Sequence, residues 1–151
     1  MNQDILKKLY RYCSSAEKCK SDIKNYLYKF NLEDDEIGEL IENLENNNFI
    51  NEERYVSAFV NDKLKFNKWG KIKINYELKS KGIDEKTIIK AINSIDEDEY
   101  LEILFSVLKT KLALLSGKNK VEQRLSLLTF GMSRGFEFEN IEKVYKSFCN
   151  I

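Results

Sequence analysis

Apolar residues recur along this chain at helical spacing. Ile5, Leu6, Leu9 and Tyr12 fall at i, i+1, i+4 and i+7; Ile37, Leu40, Ile41 and Leu44 share one helical face, as do Ile88, Ala91, Ile92 and Ile95. No stretch alternates apolar and polar residues for long enough to make a half-buried strand. The pattern predicts amphipathic helices from end to end. Helices leading the three stretches are expected over about 3–15, 51–66 and 96–116.

The pattern also repeats. Moving 51 positions from Ile23 reaches Ile74, and 53 more reaches Leu127. The same shifts align Leu32, Ile83 and Phe136; Ile37, Ile88 and Ile141; Leu40, Ala91 and Val144; and Leu44, Ile95 and Phe148. Each of these columns is apolar in all copies. Another column holds Asn31, Gly82 and Gly135, residue types that tolerate the left-handed backbone ending a helix. An apolar residue follows each, and then an acid, Glu33, Asp84 or Glu137, suited to the N-terminus of the next helix. Gly131 departs from its column, where Leu27 and Leu78 predict leucine. Each copy reads as an amphipathic helix, a second helix with a left-handed stop, and a capped third helix. The expected fold is all-α, with three tandem three-helix repeats at 1–50, 51–95 and 96–151 stacked into an elongated body.

Composition narrows the chemistry. The chain has 151 residues, 42% hydrophobic and 33% charged, with no proline and only 6 glycines, which disfavours a turn-rich β fold. There are 25 basic and 25 acidic residues, so a uniformly basic nucleic-acid binder is excluded and only a local basic face is left for that role. The absence of histidine removes histidine triads, ligands and proton shuttles. Cys13, Cys19 and Cys149 form no CxxC pair and read as reduced thiols. Met1-Asn2-Gln3-Asp4 leads straight into the first amphipathic pattern without an apolar leader. No run approaches the roughly 18 apolar residues of a membrane span. A cytoplasmic protein without membrane contact is expected. No nucleophile–base pair, phosphate loop or metal-ligand set is visible: Gly117-Lys118 lacks the rest of a P-loop. The expectation is no catalytic residue, no metal and no cofactor.

The remaining chemistry is basic and aromatic. Between positions 63 and 81 stand Lys63, Lys65, Lys68, Lys71, Lys73, Lys79 and Lys81, with Glu77 the one acid and Phe66, Trp69 and Tyr76 interleaved. Such residues meet phosphates or acidic protein groups, stack on bases, or fill a partner's pocket; they also make an ordinary solvated surface. On a helix over about 69–80, Ile74 and Leu78 share one face, while Trp69, Ile72 and Tyr76 gather on the opposite one. That second stripe fits either a central unit with two neighbours or an exposed anchor centred on Trp69. A further basic cluster includes Lys109, Lys111, Lys118, Lys120 and Arg124. Arg134 fits either an anion or the carbonyls that end its own helix. Acids cluster over 33–45 and at Asp96-Glu97-Asp98-Glu99, the latter where a helix N-terminus is expected.

The segment Arg54-Tyr55-Val56-Ser57-Ala58-Phe59-Val60, with Gly70-Lys71-Ile72-Lys73-Ile74-Asn75-Tyr76-Glu77-Leu78-Lys79-Ser80-Lys81-Gly82-Ile83, resembles the central signature of RecX proteins, bacterial regulators of the RecA recombinase. Arg134-Gly135-Phe136 followed by Ile141 resembles the family's C-terminal element. The resemblance implies three tandem three-helix repeats. It also implies a non-enzymatic regulatory role: binding the RecA filament on DNA and modulating, usually inhibiting, recombination and repair. The expected partner is that filament, with single- or double-stranded DNA within it, and the expected state is a monomer. The candidate contact residues are Lys63, Lys65, Lys68, Trp69, Lys71, Lys73, Tyr76, Lys79, Lys81, Lys118, Lys120, Arg124 and Arg134. The competing reading is a stand-alone helical DNA-binding module.

Overall fold

A computed structural model describes residues 3–149; positions 1–2 and 150–151 of the expected first and third units lie outside them. The described residues are all-α. In chain order the helices are α1 (Gln3–Ser15), α2 (Lys20–Leu27), α3 (Asp34–Asn46), α4 (Glu52–Lys65), α5 (Lys71–Ser80), α6 (Glu85–Asn93), α7 (Glu97–Ala113), α8 (Lys120–Ser133) and α9 (Phe138–Cys149), with a short 3-10 turn at Tyr28–Phe30. The leading helices α1, α4 and α7 begin and end within three residues of the ranges read from periodicity.

The repeated stop column has a common backbone cause. Asn31, Gly82 and Gly135 all lie in the left-handed region, at φ of 55°, 77° and 92°. In the second copy the Gly82 amide donates to the Lys79 carbonyl at 3.0 Å and the Ile83 amide to Leu78 at 3.3 Å. The third copy repeats this, with Gly135 to Met132 and Phe136 to Gly131, both at 3.0 Å. These are the paired bonds of a Schellman stop, which satisfy carbonyls that a helix end leaves open. In the first copy the helix tightens into the 3-10 turn instead, and Asn31 closes it with a 3.4 Å bond to Tyr28. The acid that follows each stop occupies the helix-starting position. Its carbonyl accepts the first helical bond, from Ile37, Ile88 or Ile141, at 3.1, 3.1 and 3.0 Å.

The helices close around two apolar cores. The first contains Ile5, Leu9, Ile23, Leu27, Ile37, Leu40 and Leu44 of α1–α3, with Ile50 beyond α3. The second runs through α4 to α9, from Tyr55, Val56 and Ile74 to Leu104, Leu127 and Ile141. Burying one such side chain stabilises the fold by about 1.5–3 kcal/mol. The second and third sequence repeats therefore share one interior. The boundary at 95/96 is proposed as the limit of a repeat, not of a separate core, whereas that at 50/51 falls between the two cores.

Gly131 explains its own departure from the leucine column. A Cβ there would stand 2.7 Å from Ile141 Cδ1 and 2.9 Å from its Cγ1. The glycine lets Ile141 of α9 sit directly on the α8 backbone, so the leucine's volume comes from the neighbouring helix.

Candidate partner interface

The signature residues meet at two joints. At the first, Arg54 at the start of α4 reaches back to the preceding unit. Its Nε donates to Glu17 Oε1 at 2.6 Å, and one terminal nitrogen donates to the carbonyls of Asn48 and Phe49 at 3.1 and 3.3 Å. Lys81 pairs with Asp22 across the same boundary at 3.3 Å. Cys19 enters the second core, against the buried Tyr55, whose phenol is pushed well above its ordinary pKa by burial first and then by the neighbouring Cys19 and Asp22.

The second joint binds the loop before α5 to the turn between α8 and α9. The Gly70 amide donates to the Arg134 carbonyl at 2.7 Å, and the Ile72 amide to the Gly135 carbonyl at 3.0 Å. Arg134 returns a bond from its guanidinium to the Asn67 carbonyl at 2.9 Å. Backbone approach this close requires two glycines. A Cβ on Gly70 would lie 2.3 Å from the Gly135 carbonyl carbon and oxygen, and one on Gly135 would lie 2.3 Å from Lys73 Cβ. Tyr100 of α7, fully buried, completes the joint. Its hydroxyl accepts from the Lys71 amide at 3.0 Å and donates to Glu137 at 2.7 Å. Burial, with Glu137 adding to it, raises this phenol far above its ordinary value, so it stays a neutral donor. Arg134 and Arg54 thus have structural partners, Arg134 holding a loop carbonyl rather than those of its own helix.

Most of the expected basic contacts already have intramolecular partners. Lys65 lies 3.5 Å from Glu99 and Lys71 lies 3.2 Å from Glu97, so the acidic start of α7 sits against the basic segment. Lys79 faces Glu85 at 3.8 Å, and Arg124 faces Glu142 at 2.6 Å. The exposed pairs among these, Lys65–Glu99 and Lys79–Glu85, contribute about 0–1 kcal/mol each, so a partner's carboxylate or phosphate exchanges with them at small cost. Lys63 and Lys73 lie over the Trp69 ring, 4.9 and 4.6 Å from its centroid. Lys68, at φ 56°, donates to Ser106 at 3.2 Å. Lys118 and Lys120 are exposed beside Asn119, the residue that caps α8. Cations there oppose the helix dipole, so local helix stability does not account for them.

The stripe expected on a helix over about 69–80 divides, because α5 begins at Lys71 and Trp69 stands before its cap, Gly70. Trp69 is half-buried, edge-on to Phe59 at 6.4 Å and packed against the second core. Ile72 and Tyr76 are 56% and 70% exposed, so this face is not covered by a neighbouring unit. Residues not singled out from the sequence matter as well. Tyr100 gives no local signal, because its partners are far along the chain, and the helix-starting role read for Glu137 does not foretell its bond to Tyr100. Phe130 does give one: it stands one helical turn before Arg134, whose guanidinium lies 5.2 Å from its ring centroid. Among the described residues, no cluster of acidic or cysteine side chains fit to hold a metal is found, and no helix is long and apolar enough to cross a membrane.

Residues 51–92 match the model of the second three-helix domain of RecX. The chain is 26% identical over 142 residues to the regulatory protein RecX of Clostridium perfringens, covering 93% of this chain and 66% of that protein. It is 29% identical over 135 residues to the Clostridium botulinum protein of the same name, covering 88% and 63%. For that of Streptococcus agalactiae the identity is 27% over 140 residues, covering 90% and 52%. The chain thus spans about half to two thirds of the length of these relatives. Its fold is similar to the crystal structure of RecX from Lactobacillus salivarius, with a TM-score of 0.85 at 19% identity, covering 99% of this chain and 100% of that one. A second RecX crystal structure also gives a TM-score of 0.85, at 16% identity, covering 93% and 70%.

Proposed function

We propose that this chain, a member of the RecX family, is a non-enzymatic cytoplasmic regulator that binds the RecA recombinase filament on DNA and lowers its recombination and repair activity. The observation that carries the proposal is the match of residues 51–92 to the RecX second three-helix domain, because that segment holds both the basic stretch and the loop of the Gly70 joint. The joints fix the order and spacing of the helical units, and so the spacing of the surfaces they present. A monomer built this way meets successive points on a regular polymer. Its basic residues exchange exposed internal ion pairs for acidic or phosphate groups of the filament. Formal neutrality, 25 charges of each sign, gives little general attraction to naked DNA, so contact with protein subunits leads and any DNA contact follows within the filament.

The test adds purified chain to RecA filaments on single-stranded DNA. Co-sedimentation with the filament and reduced strand exchange and ATP hydrolysis are expected. Absence of co-sedimentation, with both activities unchanged, refutes the proposal. Titration of naked DNA in parallel checks the competing DNA-binding reading: tight binding with a steep salt slope, independent of RecA, would favour that reading instead.

A further inference from the structure

The outer side of the second joint carries a groove between α7 and α8. Lys68, Lys111 and Arg134 line it with Val107, Leu114 and Phe130, around a volume of about 270 Å³. A shallower depression shares Lys111 and Phe130 and extends to Leu125. No carboxylate lines either part. Elsewhere Lys65, Lys71, Lys79, Lys81 and Arg124 each face an acid. Here the cations rest on neutral groups. Lys111 and Arg134 both lie 5.2 Å from the Phe130 ring centroid, and Lys68 donates to the Ser106 hydroxyl. Leu114 is 76% exposed and Leu125 55%. The groove is therefore cationic and apolar together, with its positive charge uncompensated.

We infer that this groove binds an acidic peptide segment bearing an apolar side chain, presented by a protein partner. Carboxylates of the peptide meet Lys111 and Lys68, and the apolar side chain lies on the exposed Leu114 and Leu125. A nucleic acid fits less well. Lys111 and Arg134 already lie against the Phe130 ring, so a base would have to displace cations to stack on it. The exposed leucines match a side chain rather than a phosphate. The inference rests on the proposed filament-binding role only for which protein supplies the peptide; the chemistry of the groove stands apart from it.

The experiment uses the full chain and a fluorescein-labelled peptide of Asp and Glu around a central Leu-Phe pair, read by anisotropy. Controls replace the acids with lysine, or the Leu-Phe pair with serine, and a labelled oligothymidylate stands for nucleic acid. Saturable binding of the acidic–apolar peptide is expected, weakened about tenfold by either control change and by Lys111→Glu. Leu114→Asn, a second exposed change, is expected to weaken it without altering the thermal melt. Equal binding by both variants, no peptide binding, or binding of oligothymidylate alone overturns the inference. Co-sedimentation of the same proteins with RecA filaments separates the two proposals. Wild-type sedimentation without peptide binding removes the groove proposal alone, whereas peptide binding without sedimentation removes the filament reading and leaves the groove.

Discussion

Replacing Gly70 with alanine tests the joint between the α4–α5 loop and the α8–α9 turn. Gly70 has φ −81°, which any residue adopts, so the change introduces no backbone strain. It introduces only a Cβ, placed 2.3 Å from the Gly135 carbonyl and 2.4 Å from the Phe136 nitrogen. Those atoms are backbone and cannot swing aside. Ordinary contact begins near 3.4 Å, so the two segments must part by about 1 Å. The bonds from Gly70 to Arg134 at 2.7 Å and from Ile72 to Gly135 at 3.0 Å then stretch beyond useful length. Each contributes about 1 kcal/mol net, and any polar group left buried without a partner costs about 1–3 kcal/mol. Alanine returns about 0.5 kcal/mol by restricting the unfolded chain. A loss of about 2–4 kcal/mol is expected. Urea unfolding followed by the fluorescence of Trp69, which lies next to the joint, measures it through the midpoint at unchanged slope. Faster hydrogen exchange at the Gly70 and Ile72 amides is the local readout. Gly82→Ala is the control: its φ is 77° and no atom lies within 4 Å of the added Cβ, so it carries only the left-handed penalty of about 1–2 kcal/mol. A Gly70→Ala protein within about 0.5 kcal/mol of wild type, or less affected than Gly82→Ala, refutes this account of the joint.

Tyr100→Phe removes the acceptor for the Lys71 amide and the donor to Glu137, and is expected to cost about 1–3 kcal/mol in urea unfolding. The same tyrosine sets an alkaline limit. Its folded pKa is raised above 10.0, so its contribution is complete below that pH and declines above it, as the unfolded chain releases a proton the folded one keeps. Stability of the wild type should therefore fall above about pH 10 and that of Tyr100→Phe less steeply, with the other raised tyrosines, Tyr55 and Tyr12 among them, contributing to the residual slope. Gly131→Ala pushes a methyl to within 2.7 Å of Ile141 and is expected to destabilise by about 1–3 kcal/mol; adding Ile141→Val should recover part of the loss in thermal melts, and no recovery would count against direct contact. Arg54→Ala leaves Glu17 and the carbonyls of Asn48 and Phe49 without their donor, so limited proteolysis should cut more readily between α3 and α4 while α4–α9 stay protected.

The joints change what the signature residues mean. Arg54 and Tyr55 stand where the first unit meets the second, and Gly70 and Arg134–Phe136 where the second repeat meets the third. These side chains order the helices. Exposed side chains include Ile72 and Tyr76 on α5 and Lys118 and Lys120 at the start of α8, and the groove beside Phe130 opens next to Arg134.

The sequence alone determined the helices, their stops and their starts, because each depends on residues within about one helical turn. Apolar spacing selects the buried face, Gly82 and Gly135 allow the left-handed stop, and the acid after each stop begins the next helix. The all-α class and its threefold sequence order followed from those local signals. Only the tertiary structure decided that the second and third repeats share a core, that Trp69 turns inward while Tyr76 stays outside, and which lysines face internal carboxylates. The physical reason is distance along the chain. Asn67 and Arg134 are 67 positions apart and Lys71 and Tyr100 are 29 apart. No periodicity links such residues; packing of the apolar faces brings them together, and a glycine on each side lets the backbones touch.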